Sequence, residues 1–324
     1  MTPSANLQLL IEKVSDPTLE WLVTNGLGGY ASTSIDGRLT RKYHGLLLAA
    51  LPPPFGRTVV LNQLIEEVTL PGQKSVPLTL EEKEELASSP QPFSYLKEFW
   101  LENGLPVWIF QIKETIIEKR VLFAHLQNSL YLSYKLLTPC AGVNLTLTPL
   151  IHFRSHEESV NKKHPSYSIY KRPGKGVEII AHPFPSLKLK MAKEATFYEK
   201  ILFKDCFYQL EKERGYDSFG KLWSPGSFQQ LLLPDQTVQF TASTESWQSL
   251  ANTSFKKVKK AEELRKKQLL SLPLQDAFTQ QLVLAADQFI VTPAYRSLSL
   301  DKKKENLQTV IAGYPWFTDW GRDT

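Results

Sequence analysis

Cysteine is nearly missing from this chain. Two thiols in 324 residues, Cys140 and Cys206, are too few for a disulfide framework and lack metal-ligand spacing. They read as small apolar residues of a reducing compartment. The six histidines (His44, His125, His152, His156, His164, His182) are scattered. His152 and His156 stand four apart, but no glutamate follows the first, as a zinc-protease helix requires, so both read as loop or strand residues. The first residues, MTPSANLQLLIEKVSDP, have no basic start followed by an apolar core, which excludes a secretory signal. No run approaches the roughly 20 apolar residues of a membrane helix. The expectation is a soluble, cytoplasmic protein with no membrane partner.

Net charge of one sign is small. Thirty-eight Lys and Arg against 33 Asp and Glu leave a net charge of +5, and much of the excess lies in residues 256–267 and 302–304. These runs lack the interleaved aromatics of a nucleic-acid platform and read as solvated helix or loop faces, so no nucleic-acid partner is expected. What remains is ordinary globular composition, 42% hydrophobic and 22% charged, enough for one large domain or two moderate ones.

From Glu20 to about Phe240 the pattern is β: short runs of Val, Ile, Leu, Thr and aromatics between Pro, Gly and Asn. Tyr43 to Leu51, Val59 to Leu70, Ser129 to Leu137, Val143 to Leu150, Gly176 to Ala181, Ser186 to Met191, Phe197 to Phe203 and Val238 to Thr241 are candidate strands. Val107 to Phe123 predicts a hairpin turning near Lys113 and Glu114. So many strands without intervening helices predict a mainly β fold, a large antiparallel sandwich. Then the pattern changes. Ser254 to Leu270 has strong helix formers with Phe255, Val258, Ala261 and Leu264 at three-residue steps, a narrow stripe on a charged helix. Gln275 to Val291 places Phe278, Leu282, Ala285, Ala286 and Phe289 on one helical face.

Three segments depart from generic patterning. In EWLVTNGLGGYASTSIDGRLTRKYHGLLLAA, Gly26, Gly28 and Gly29 predict backbone conformations closed to other residues, or a close approach. No Gly-Lys-Ser/Thr ending and no strand-to-helix context follows, so both nucleotide fingerprints fail. Arg38, Arg41, Lys42, Tyr43 and His44 form either a hydrogen-bonded loop or a surface presented to a neighbouring domain or substrate. In ERGYDSFGKLWSPGSF, Pro225-Gly226 predicts a tight turn, and Tyr216 and Trp223 read as packing between strands. IAGYPWFTDWGRDT interleaves Tyr314, Trp316, Phe317 and Trp320 with Asp319, Arg322 and Asp323. A pyranose offers one apolar C–H face and a rim of hydroxyls, which suits an aromatic wall beside carboxylates and a guanidinium. A buried Arg–Asp pair under an aromatic cluster at a domain junction fits the same residues.

TNGLGGYASTS followed by TRKYHGLLLAALPPPFGRTVVLNQLIEEV resembles the N-terminal domain of glycogen debranching enzymes of the bacterial and archaeal type, the amylo-α-1,6-glucosidases. ERGYDSFGKLWSPGSF resembles a segment late in that domain; AADQFIV and IAGYPWFTDWGRDT resemble the start of the catalytic domain. The order and distances fit almost the whole chain. The resemblance implies a β-supersandwich (residues 1–253), a linker helix (254–272) and the start of an (α/α)6 barrel (273–324). It also implies hydrolysis of α-1,6-linked glucose at branch stubs of glycogen or limit dextrin, with no metal or organic cofactor, by an inverting acid and base.

Carried over by position, glucose binding falls on Trp320, Arg322 and Asp323, with Trp316 and Phe317 as walls and Asp319 beside them. Asn25, Gly28, Gly29, Tyr30, Arg41, Tyr43 and His44 form a candidate domain-interface or substrate loop. The resemblance places the family's acid and base downstream of Thr324, so no catalytic residue is assigned within the chain. The 324 residues alone are therefore expected to be inactive, a truncated front portion partnered by the rest of the barrel in cis or as a separate chain. The Phe/Leu/Ala face of the last helix is then expected to stand open. A non-catalytic glycan-binding or barrel-stabilising module is the alternative.

Overall fold

A computed structural model of the chain describes residues 7–10, 19–81, 95–139, 141–192, 194–271, 276–293 and 308–318. Cys140 and the expected site residues Asp319, Trp320, Arg322 and Asp323 lie outside these residues. So does Thr324, beyond which the acid and base are expected. The chain begins with β1 (Leu7–Leu10), β2 (Glu20–Thr24), β3 (Tyr30–Ser34), β4 (Gly45–Ala50), β5 (Arg57–Leu61), β6 (Gln63–Thr69) and β7 (Ser75–Pro77). It continues with β8 (Leu96–Glu102), β9 (Leu105–Ile112), β10 (Thr115–Phe123), β11 (Ser129–Leu136), β12 (Val143–Leu150) and β13 (Arg154–Ser155). Next come β14 (Ser168–Arg172), β15 (Gly176–Ile180), β16 (Leu187–Met191), β17 (Thr196–Phe207), the short helix α1 (Gln209–Glu213), β18 (Phe219–Leu232) and β19 (Thr237–Ser243). Helices α2 (Trp247–Ala251), α3 (Phe255–Leu269) and α4 (Ala277–Asp287) follow, then a ribbon of β20 (Ile290–Val291) and β21 (Thr309–Val310).

The strands form a large antiparallel supersandwich, followed by a linker helix and a further helical segment. One layer is a nine-stranded sheet ordered β1-β8-β9-β10-β11-β19-β16-β15-β14. Two five-stranded sheets, β17-β18-β12-β6-β7 and β13-β5-β4-β3-β2, face it. One contiguous core joins all three: Trp108, Val121, Leu132 and Phe240 from the large sheet, Val68, Leu145 and Phe228 from the second, Trp21, Leu47 and Val60 from the third. The expected hairpin is present, with β9 and β10 joined across Lys113, whose φ is +53°. A second tight hairpin, between β8 and β9, turns on Asn103 and Gly104, both at positive φ, as a type I′ turn requires.

The β2–β5 sheet is buried on both faces. Trp21, Ala31, Leu47, Ala49 and Val60 point into the main core; Leu22, Tyr30, Leu48 and Val59 point outward onto Phe289, Val291, Ile311 and Tyr314. That is why β4, GLLLAA, is a continuous apolar run instead of an alternating one. On the outside of the large sheet, Phe255 and Val258 of α3 pack on Leu105, Leu122, Ala124 and Tyr131.

Three sequence-based expectations need correction. Val59 to Leu70 is two strands in different sheets, broken at Asn62, whose buried Oδ1 accepts the His152 N–H at 2.7 Å. Pro225-Gly226 is no turn: it lies inside β18 beside an irregularity in β17, and a Cβ on Gly226 (φ +136°) would come 2.1 Å from the Tyr198 carbonyl oxygen. The apolar stripe on α3 ends after Val258. Leu264 is exposed, and the inward face continues with Lys259, Arg265 and Lys266, which hold Glu102, Asp287 and the Asn103 carbonyl, and with Glu262, which pairs with Arg265 and Lys266. On α4, Phe278 and Leu282 are 72% and 52% exposed while Leu284 is buried. Among the described residues no helix is long and apolar enough to cross a membrane.

Candidate functional site

The glycine-rich loop after β2 is a knot of hydrogen bonds. Asn25 is fully buried; its Oδ1 accepts from the backbone N–H groups of Leu27 and Gly29, both at 2.9 Å. Its Nδ2 donates to Asn128 Oδ1 and to the Gln127 carbonyl, and Asn128 in turn brackets the backbone of Ala50. Gly28 takes φ +96° with open space around it, whereas a Cβ on Gly29 would come 2.7 Å from the Leu48 carbonyl. The Gly26 carbonyl accepts the Thr292 N–H at 2.8 Å, so this loop also touches the segment that follows α4.

That segment docks on the outward face of the β2–β5 sheet. Tyr314 meets Tyr30 edge-on, with ring centroids 5.4 Å apart, and Tyr30 fixes its own hydroxyl on the Tyr43 carbonyl. Arg57 closes the joint. Its Nη1 donates to the carbonyl oxygens of Pro315 (3.3 Å) and Phe317 (3.2 Å), and its guanidinium lies 5.1 Å from the Tyr314 ring. Within the segment, the Phe317 N–H donates to the Gly313 carbonyl and the Ala312 N–H to that of Thr318. The backbone is thus held inward while the Trp316 and Phe317 rings remain 38% and 43% exposed.

Two further loops converge on the Trp316 ring. Arg41 stands 5.2 Å over the Trp316 ring and donates to Glu20 at 2.6 Å. The Thr40 N–H donates to His44 Nδ1, which leaves the ring proton on Nε2, 3.4 Å from Glu20. Burial would raise the Glu20 carboxyl, but His44 and Arg41 outweigh it and hold the group below its ordinary range. The second loop follows α1. Buried Glu211 accepts the Lys42 N–H, the Leu210 N–H donates to Thr40, and Arg214 lies 5.8 Å from the Trp316 ring. The Tyr43 hydroxyl donates to Glu157, while the Lys42 ammonium sits near both the Tyr43 and Tyr216 rings.

Behind the surface, fully buried Arg154 gathers the carbonyls of Lys42, Ser155, His156 and Glu158, so that one guanidinium ties the Lys42 loop to the turn after β13. His156 packs between Tyr43 and Arg57. Burial, then the charges of Arg57, Arg154 and Lys42, depress its pKa to about 3, so the ring is neutral at pH 7. Among the described residues no group of three His, Cys, Asp or Glu could hold a metal ion.

Of the sequence-derived candidates, Arg41 meets Trp316 directly, Tyr30 meets Tyr314 and bonds the Tyr43 carbonyl, and His44 joins Arg41 on Glu20. Asn25, Gly28 and Gly29 form the knot beside the strand start, which is tied to Gln127 and Asn128. Arg57, Arg154, His156, Glu157 and Arg214 were not found by sequence reasoning. A lone Arg at the first position of a β-branched strand carries no local signal of a partner 258 residues away. Tyr216, read as packing between strands, is instead 65% exposed; Trp223 does pack, stacked on Tyr167 at 4.3 Å.

A family model described as glycogen debranching enzyme N terminal matches residues 19–239. A second, described as amylo-alpha-1,6-glucosidase, matches residues 284–324 and so runs to Thr324. No curated protein sequence matches the chain. Among solved structures, a bacterial glucoamylase complexed with acarbose aligns over 89% of this chain at 10% identity with a TM-score of 0.35. A putative kojibiose phosphorylase from human microbiome aligns over 84% at 9% identity with a TM-score of 0.32. The chain spans 38% of the glucoamylase and 36% of the phosphorylase.

Proposed function

The chain belongs to the glycogen debranching enzyme N-terminal family, and from that premise we propose that it is the front part of a cytoplasmic glycogen-debranching glucosidase. Residues 1–253 are then the β module, 254–272 the linker helix and 273–324 the start of an (α/α)6 barrel. The reaction is hydrolysis of the single α-1,6-linked glucose at a branch stub by inversion. It needs an acid for the leaving oxygen and a base for water, at a separation wide enough to admit that water. On this reading both carboxylates come from barrel helices downstream of Thr324, and the chain alone binds glucan without cleaving it.

The observation that carries the reading is the way the β module presents the second matched segment. Arg57 and Tyr30 hold the backbone at Tyr314 to Phe317, and two aromatic rings are left outward beside the guanidinium groups of Arg41 and Arg214. An aromatic surface together with forked donors is the chemistry a glucosyl ring requires. Trp316 and Phe317 serve as walls, and Asp319, Trp320, Arg322 and Asp323 complete the grip on the glucose hydroxyls. Asn25, Gly28, Gly29, Tyr30, Arg41, Tyr43 and His44 form the module's face toward the barrel. The partners are α-glucan and the remaining barrel, in cis or as a separate chain.

The test is release of glucose from a phosphorylase limit dextrin by the chain alone, by the family's barrel alone, and by the two joined. Release by the joined protein only is the expected result. A joined protein that stays inert contradicts the enzyme reading. A barrel fully active by itself would leave residues 1–253 as an accessory module.

A further inference from the structure

The loop after α1 is the feature that glucose binding at the chain's last segment leaves unexplained. It carries Tyr216, the most exposed tyrosine among the described residues at 65%. Such a ring is usually mobile or packed, yet this one stands on a fixed base. The Tyr216 N–H donates to the Glu211 carbonyl at 2.9 Å, and the Gly215 N–H donates to Lys212. Next to it, Asp217 accepts the Ser159 hydroxyl at 2.6 Å. Glu211 itself is buried and fixed to the Lys42 backbone, so the loop is anchored to the β module at Lys42 and at Ser159.

The loop also adjoins the aromatic surface. Arg214 stands over Trp316, and the Lys42 ammonium lies 5.9 Å from the Tyr216 ring and 4.8 Å from that of Tyr43. Burial first, then the carboxylates of Glu157 and Glu211, and last Tyr216 raise the Tyr43 phenol above its ordinary range. An exposed ring on a hydrogen-bonded backbone, with the Lys42 ammonium near it, continues the aromatic surface of Trp316 onto the β module.

We propose that Tyr216, with the Lys42 ammonium near it, is a second glucosyl subsite, which holds the α-glucan chain bearing the branch while Trp316 and Phe317 hold the branch glucose. This rests on the function proposed above. Its physical basis is stacking of a pyranose C–H face on a ring whose backbone is already held, with the Lys42 ammonium donating to the hydroxyls. A polymeric substrate requires more than the terminal-glucose site, and the β module supplies the next contact.

The experiment is affinity electrophoresis of the 324-residue chain in native gels containing glycogen. Y216A is compared with Y216F and with Y198A, which removes an exposed tyrosine from β17. Unchanged thermal midpoints establish folding of each variant. The expected result is retardation of wild type, Y216F and Y198A, with Y216A binding about fivefold more weakly. If Y216A is retarded as strongly as wild type, the subsite is refuted while the functional reading stands. Equal loss in Y198A overturns it as well, since binding then follows exposed tyrosine in general. A wild-type chain that glycogen does not retard overturns both readings together.

Discussion

The Arg57 guanidinium reaches the Phe317 carbonyl oxygen at 3.2 Å, across 260 residues of sequence. The same Nη1 serves the Pro315 carbonyl, and the cation lies near the rings of Tyr30 and Tyr314. Replacing Arg57 with Met keeps much of the side-chain volume but strips two inward carbonyls of a charged donor. The expected cost is about 2 kcal/mol in urea unfolding, within the range for losing charged hydrogen bonds. Hydrogen exchange should accelerate at the Ala312 and Phe317 amides, which close the segment's own loop. Unchanged exchange there in R57M would show that the docking does not depend on this guanidinium.

Arg41 over Trp316 is a separable contact, because Arg41 also donates to Glu20. A double-mutant cycle of R41Q and W316L should give a coupling energy of about 0.5–1 kcal/mol, the value for a partly exposed cation–π pair. The matching cycle of R41Q with E20Q should also be non-zero. A zero coupling for Arg41 and Trp316 would leave the guanidinium serving Glu20 alone and would remove it from the aromatic site.

The fold was legible in the sequence wherever burial is one-sided or punctuation is local. The hairpin at Lys113 and the helix capped by Ser254 appear where periodicity and turn chemistry place them. Asn62 and Gly226 were illegible for a common reason: each is fixed by a partner distant in sequence. Asn62 looks like an interruption within one apolar run, yet its side chain holds the His152 backbone and the chain changes sheets there. Gly226 looks like half of a turn, yet a neighbouring strand's carbonyl is what excludes a Cβ. The site behaved in the same way. Its unusual residues, Trp316, Arg41 and Tyr43, stood out by local composition, whereas Arg57 and Arg154 act through backbone carbonyls, which composition does not reveal.

Two buried imidazoles give the module an acid-side weakness. Burial is the first cause in both, and neighbouring charges add to it: folding depresses His156 to about 3 and His152 to about 3, while an unfolded imidazole titrates near 6.5. Between those values the unfolded chain binds the additional protons, so stability rises with pH in this window and falls on acidification from pH 6.5. Each ring contributes a slope approaching about 1.4 kcal/mol per pH unit once its unfolded form is fully titrating. Urea midpoints measured from pH 7 to pH 5 should therefore drop, and H156Q should flatten the decline. Identical pH profiles for wild type and H156Q would sink this account.

Lys119 and Glu66 carry an ion pair across the sandwich, from β10 in the large sheet to β6 in the facing one, with Nζ 2.7 Å from Oε1. Both side chains are buried, and the ammonium also lies 4.8 Å from the Trp108 ring. Desolvating two charges offsets most of their attraction, so the pair adds little net stability compared with an apolar filling. Removing one partner is different, because the survivor stays buried without a counter-charge. E66L alone should cost about 3–5 kcal/mol, whereas E66L combined with K119M should recover most of that loss. Equilibrium unfolding of the single and double variants decides the matter. If the double variant remains as unstable as E66L, the pair contributes a specific geometry between the sheets that apolar packing cannot replace.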